Sequence, residues 1–315
     1  MVIAAFPADT VEGRGCCPIG YDVIRLPGAE VADRVGGMPT FVAPDGTKLA
    51  YHVAGDGAPV VCLPGGPMQA SEYLGELGGL GEYRTLVMLD LRGSGASEVP
   101  ADADSYRCDR QVEDVEALRE QLGLEQLDLL GHSAGANLAV LYATRYPSRI
   151  RKLLLITPSV YAAGLTISAE TRLAQARLRK GEAWFASAYR ALEAVSAGDH
   201  AAENWAALAP FSYGRWDAAA QAHQAAEDAQ RNDSAARIYG AEGAYTPHST
   251  RAALATFPAP VLLTAGQFDL GAPPATVAEF ADLFADGTFI EHPAAGHFPW
   301  LDDPAAFTSV LRNFL

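Results

Sequence analysis

Short apolar runs recur along the chain, separated by stretches with helical spacing. Val60-Val61-Cys62-Leu63, Thr85 to Leu89, Leu127-Asp128-Leu129-Leu130, Leu153 to Ile156, Val261 to Thr264 and Thr288 to Ile290 each read as a short buried strand. Ahead of them, Thr40-Phe41-Val42-Ala43 and Thr47 to Val53 flank Pro44-Asp45-Gly46, which signals a hairpin. A helix is predicted around Ser71 to Leu80. Val112, Val115, Leu118 and Leu122 mark one face of another that stops near Gly123, and Asn137 to Tyr142 belongs to a third running to Pro147. Strands apolar on both faces and separated by helices predict an α/β fold, a mostly parallel sheet with helices on both faces.

The alternation stops between Thr157 and Pro258. That stretch is rich in Ala, Glu, Gln and Arg, all good helix formers, and carries Trp184, Trp205 and Trp216. It reads as a helical lid inserted after the sixth strand. The expected organisation is therefore an N-terminal extension over 1–38, a sheet core over 39–157 and 258–315, and a helical cap over 158–257. Trp184, Phe185, Tyr189, Trp205, Phe211, Tyr213 and Trp216 either line an apolar pocket under the lid or hold its helices to one another.

The chemistry centres on Gly131-His132-Ser133-Ala134-Gly135, which lies between a predicted strand and a predicted helix. In that context a serine sits on a sharp turn with its hydroxyl exposed, and the flanking glycines leave room for neighbouring backbone. A serine hydroxyl is a poor nucleophile at neutral pH, so it needs a base in hydrogen-bond reach and an acid to orient that base. Asp269 and His297 follow in the order Ser, Asp, His. Each lies in a loop after a late strand, where a parallel sheet places functional groups at one edge. The other reading of Asp269 is a cap for a helix starting near Pro274. His292 is the rival base, His132 packs beneath the turn, and His52, His200, His223 and His248 read as surface or lid residues. Asp302 and Asp303 read as the start of the final helix. The Ala134 amide is one oxyanion donor. Gly66, in Pro64-Gly65-Gly66-Pro67-Met68, is the choice for the second, unless that segment is a plain Gly-Pro turn.

Composition narrows the partners. With 49% apolar and 19% charged residues the chain is globular, and no apolar run reaches membrane-spanning length. A formal charge of −15 argues against nucleic acid, leaving small molecules or short peptides as substrates. The first residues lack a basic leader, so the expected location is cytoplasmic. Cys62 reads as an inert core residue, Cys16 and Cys17 as reduced thiols, and no cysteine pair has zinc-ligand spacing. No phosphate loop or dinucleotide fingerprint is present, and no cofactor is expected. Asp90 and Arg92 need no chemical role, since charge-assisted hydrogen bonds from such residues pin a Gly-rich loop.

From about Phe41 to its end, the chain resembles the α/β-hydrolase superfamily, and within it the proline iminopeptidase-like hydrolases. Pro64-Gly65-Gly66-Pro67-Met68 is similar to that family's His-Gly-Gly-Pro-Gly. Asp90-Leu91-Arg92-Gly93-Ser94-Gly95-Ala96-Ser97 is similar to its Asp-Gln-Arg-Gly-x-Gly-x-Ser, and Gly131 to Gly135 matches its nucleophile turn. The resemblance implies Ser133 as nucleophile, Asp269 as acid and His297 as base. Aminopeptidases of this family hold the substrate amine with lid glutamates. Glu242-Gly243-Ala244-Tyr245 looks like the family's Glu-x-x-Tyr, which makes Glu242 a candidate amine anchor and Tyr245 its neighbour in the substrate site; a solvated helix Glu is the other reading. Pro64 and Met68 stand where the family has His and Gly, and Ala134 where it usually has Trp. These departures reshape the acyl pocket, with Met68 in it. The expected function is a serine hydrolase cleaving a small amide or ester. The alternatives are an esterase, lactonase or acyl-transfer enzyme of secondary metabolism acting on an uncharged substrate, and a non-catalytic ligand-binding module.

Overall fold

A computed structural model describes residues 38–315, so the expected N-terminal extension, with Cys16 and Cys17, lies outside the described residues except for Met38. Eight strands form one sheet: β1 (Thr40–Val42), β2 (Lys48–Ala54), β3 (Pro59–Leu63), β4 (Thr85–Leu89), β5 (Leu127–His132), β6 (Ile150–Ile156), β7 (Val261–Gly266) and β8 (Gly287–His292). Their spatial order is β1-β2-β4-β3-β5-β6-β7-β8. The predicted hairpin is present, with Phe41 opposite Leu49, and β2 pairs antiparallel with β4. All other pairings are parallel.

The near-continuous apolar strands have a direct consequence. Successive side chains point to opposite faces, so each strand feeds two cores. Val61, Leu63, Val87, Leu89, Leu129, Leu153, Leu155 and Leu263 pack on one face. Val60, Cys62, Leu86, Met88, Leu130, Leu154, Ile156 and Leu262 pack on the other. Three helices cover the first face: α1 (Val112–Gln121) with Val115 and Leu118, α2 (Gly135–Arg145) with Leu138 and Tyr142, and later α9 (Pro274–Ala281) with Val277 and Phe280. The C-terminal helices α10 (Pro299–Asp302) and α11 (Pro304–Phe314) close the second through Trp300, Phe307 and Leu311.

The helix expected over Ser71 to Leu80 is absent. Two short 3₁₀ turns, Ser71–Leu74 and Leu77–Glu82, take its place. Gly75, Gly78 and Gly79 adopt positive φ there (53°, 67° and 93°), which no α-helix accommodates. Between β6 and β7 the chain adds no strand to the sheet. It forms α3 (Ala169–Ala176), α4 (Phe185–Ser196), α5 (Ala202–Ala207), α6 (Ala218–Gln230), α7 (Asp233–Tyr239) and α8 (Pro247–Leu254). Because β5, β7 and β8 are parallel, the loops leaving their carboxyl ends open on the same edge of the sheet.

Candidate active site

At the end of β5 the chain reverses into α2 within a few residues. Ser133 carries the turn at φ 51°, a left-handed conformation that costs a residue with a side chain about 1–3 kcal/mol. The glycines on either side permit the turn. A Cβ on Gly135 would lie 2.4 Å from the Leu63 carbonyl oxygen and 2.5 Å from that of Pro64, and one on Gly131 would lie 2.8 Å from the Ala136 Cα. No side chain fits at either place.

Asp269 and His297 converge on this serine. The Ser133 Oγ is 2.8 Å from His297 Nε2, and His297 Nδ1 is 2.7 Å from Asp269 Oδ2. A carboxylate only accepts, so Nδ1 donates to Asp269, Nε2 is left as an acceptor, and the serine hydroxyl donates to it. Asp269 is buried, and its other oxygen accepts the Gly271 and Ala272 amides at 2.7 and 3.1 Å. It does not cap α9, whose first residues receive no side-chain cap. Burial disfavours the charged form of His297, but the charge and hydrogen bond of Asp269, with the charge of Glu227, outweigh it and raise the imidazole pKa above its ordinary value.

The rival histidine stands apart. His292 is buried against Phe307 at the end of β8, its Nε2 without a partner among the described residues. His132 lies beneath the turn, between the Tyr73 hydroxyl (2.6 Å) and the His297 carbonyl (3.1 Å). The candidate oxyanion donors are both available: neither the Ala134 nor the Gly66 amide donates a hydrogen bond among the described residues. Gly66 holds φ 109°, and a Cβ there would press on the Gln69 amide at 2.8 Å.

The helical segment presses on these loops at several points. The Tyr239 hydroxyl donates to the Ala134 carbonyl (3.0 Å). The Ala70 amide donates to Gln230, and the Asn232 amide to the carbonyl of Met68. Asp302 does not begin the final helix. Its carboxylate accepts the amides of Gly214 in the insertion and of Gly296 beside His297, at 2.9 and 2.8 Å, tying the two together. Asp303 caps α11 through the Ala306 amide.

The residues expected around the substrate are dispersed. Glu242 is exposed in the turn after α7, where its carbonyl meets Arg107, and no hydrogen bond joins it to Ser133 or His297. Tyr245 is half-buried against Cys108, whose thiol burial pushes up to about 12. Met68 is fully buried and its sulfur receives the Gln111 amide. The lid carboxylate whose charge reaches the base is a different one, Glu227, on the α6 face that also carries His223 and Gln230; its Oε2 accepts the Gln224 side-chain amide at 2.8 Å. Burial raises its pKa, and His223 and His297 counter that effect. Nothing in its own sequence context marks it; the signal is the i, i+4, i+7 spacing of His223, Glu227 and Gln230 in an Ala-rich helix.

The aromatics of the insertion mostly serve cohesion. Trp184 meets Phe211 edge-on, Phe185 stacks on Tyr189, and Trp205 is exposed and stacks on His200. Tyr213 differs, stacking on Phe298 beside His297. Asp90 and Arg92 pin loops as expected, though not through each other. Asp90 accepts from Ser71, Ala96 and His52, while Arg92 joins Asp114 and Asp45.

The sheet order, the strained serine turn and the three converging loops agree with a family comparison. The model of the alpha/beta hydrolase fold matches residues 58–304. The chain belongs to the alpha/beta hydrolase fold family. Among alpha/beta hydrolase relatives, a proline iminopeptidase of Heyndrickxia coagulans is 35% identical over 108 residues, covering 34% of this chain and 38% of that protein. The matched stretch thus spans well under half the length of that curated relative. Two solved structures share the fold over 88% of the chain. One is the proline iminopeptidase of Mycobacterium smegmatis (TM-score 0.66, 24% identity, 97% of that chain). The other is an esterase from Rhodococcus sp. ECU1013 (TM-score 0.66, 22% identity, 98% of that chain). Among the described residues no group of His, Cys, Asp and Glu is placed to hold a metal, and no helix is long and apolar enough to cross a membrane.

Proposed function

We propose that the chain is a serine hydrolase that cleaves a small amide or ester through an acyl-enzyme. The observation that carries this is the unbroken line of hydrogen bonds from Asp269 through His297 to Ser133. In this reading Ser133 attacks the substrate carbonyl while His297 takes its proton. The amides of Ala134 and Gly66 receive the oxyanion. His297 then returns the proton to the leaving group, and water, activated by the same imidazole, releases the acid. Asp269 keeps the imidazole in the required tautomer throughout. The helical segment over residues 158–257 acts as the lid.

Glu227 favours a substrate with a free amine, of the proline iminopeptidase kind, over an uncharged ester or lactone. A carboxylate withdrawn from water suits an ammonium, because each charge offsets the other's loss of solvent. It replaces Glu242 as the anchor in this proposal.

The test is Ser133→Ala, with folding verified by circular dichroism, assayed on a p-nitrophenyl ester and a proline arylamide. Loss of a triad member lowers kcat by about 10⁴ or more, and a loss under about tenfold would reject the mechanism. A fluorophosphonate probe that leaves Ser133 of the wild type unlabelled would point to a binding module instead. For the substrate class, Glu227→Gln is expected to depress turnover of the arylamide well beyond that of the ester; equal loss on both would reject the amine anchor.

A further inference from the structure

We propose that Tyr73 and His132 form a positioning relay that holds the oxyanion loop, the nucleophile turn and the base loop at fixed spacing. The inference rests on Ser133 and His297 acting as proposed above. The Gly65 amide is 2.7 Å from the Tyr73 hydroxyl oxygen, and that oxygen is 2.6 Å from His132 Nδ1. His132 Nε2 is 3.1 Å from the His297 carbonyl oxygen, which also accepts the Thr157 hydroxyl at 3.0 Å.

The two ends of this chain determine every proton in it. An amide N–H can only donate, so Tyr73 accepts from Gly65 and its single proton goes on to His132 Nδ1. A carbonyl can only accept, so Nε2 of His132 carries the ring proton. This is the neutral imidazole with the proton on Nε2. Burial and the nearby charge of His297 hold His132 well below its ordinary pKa, so the ring stays neutral. Burial likewise raises the Tyr73 pKa and keeps the phenol protonated.

The relay joins parts whose separation governs attack. Gly65 precedes the candidate oxyanion donor, and a Cβ on it would lie 2.8 Å from the Ser133 Cβ, so this loop rests directly on the nucleophile. His132 adjoins Ser133 in sequence, and its ring centroid lies 5.0 Å from that of His297. Losing the phenol would free the Gly65 peptide and leave His132 Nδ1 without its partner, uncoupling the oxyanion loop from the nucleophile turn. The effect would fall on stabilisation of the transition state more than on substrate binding.

The experiment pairs kinetics with spectroscopy. In Tyr73→Phe, kcat on a p-nitrophenyl ester is expected to fall about 100-fold with KM within about threefold, the scale of a misplaced catalytic group. Tyr142→Phe is the control. It also loses a buried hydroxyl, bonded to Glu116 on α1, and should keep kcat within about twofold. A Tyr73→Phe enzyme that folds and retains kcat within about threefold would overturn the relay. Independently of activity and of any variant, the nitrogen-15 spectrum of the wild type should show His132 protonated at Nε2 and bare at Nδ1. The opposite tautomer, or a charged ring at pH 7, would overturn it even if Tyr73→Phe does not fold. Activity surviving Ser133→Ala would instead sink the hydrolase mechanism and leave the tautomer result standing.

Discussion

Asp269 serves His297 and its own loop with different oxygens. Oδ2 lies 2.7 Å from the imidazole Nδ1, while Oδ1 accepts the Gly271 and Ala272 amides. The two backbone bonds hold the carboxylate so that its second oxygen meets the ring. In Asp269→Asn the amide would keep one oxygen for the backbone donors and turn its NH₂ toward Nδ1. The imidazole would then present the wrong tautomer to the serine. We expect kcat to fall about 10⁴-fold with little change in stability. A loss of under about tenfold in a steady-state ester assay would show that Asp269 does not orient the base.

In the proposed mechanism the proton on His297 sets the acid limb of activity. The ring must be neutral to accept from Ser133, and its folded pKa is raised above the ordinary 6.5 because Asp269 and Glu227 overcome the effect of burial. Activity should therefore be lost as pH falls through a value above 6.5, earlier than for a free histidine. Glu227→Gln removes one of the two raising charges and should move the limb of kcat/KM to lower pH. A limb at the same pH in both proteins would mean that Glu227 does not act on the base.

How much of this was legible in the sequence depends on how local each signal is. Strand after strand was readable because apolar runs such as Val60 to Leu63 are buried on both faces and have no other reading. The candidate triad was readable because Ser133, Asp269 and His297 each follow such a strand, and parallel strands bring their loops to one edge. What failed was set by tertiary contact. Ser71 to Leu80 has helical spacing, but its glycines take positive φ in the folded chain. Asp302 looked like a helix start because its partners, Gly214 and Gly296, come from two separate loops. Glu242 sat in a familiar pattern yet lies in solvent, whereas Glu227, one of several polar residues in an Ala-rich helix, has its charge brought to bear on His297 only by the docking of α6.

His52 and Asp90 link stability to pH. The imidazole lies 3.1 Å from an Asp90 oxygen, and this hydrogen bond, against the effect of burial, raises the His52 pKa above 6.5. The pair therefore contributes stability that is fully present below the unfolded pKa and is lost as pH rises through the higher folded value. Since His52 is partly exposed, the contribution is modest. In urea melts, the gap between wild type and His52→Gln should be wider at about pH 5.5 than at about pH 8.5. A gap that is constant, or wider at the alkaline end, would show that His52 bonds Asp90 only as a neutral ring.

Gly135 is the strongest single constraint on the serine turn. An added Cβ would meet two backbone oxygens, of Leu63 and Pro64, at 2.4 and 2.5 Å, and backbone at the end of a central strand cannot swing away as a side chain would. Either β3 or the start of α2 must shift. The displacement would reach the Gly65-Gly66 loop that follows Leu63. Gly135→Ala should cost about 3 kcal/mol by overpacking, read as a lower urea midpoint at unchanged slope. Gly123 supplies the contrast. It also has positive φ (65°), but nothing lies within 4 Å of its absent side chain, so Gly123→Ala should cost only about 1–2 kcal/mol of backbone strain. The Gly135 variant should also lose ester turnover under conditions where it is still folded, while the Gly123 variant keeps it. Equal stability losses in the two proteins, or a folded Gly135→Ala with full activity, would mean that the turn can relax away from Leu63 and does not need that close approach to place Ser133.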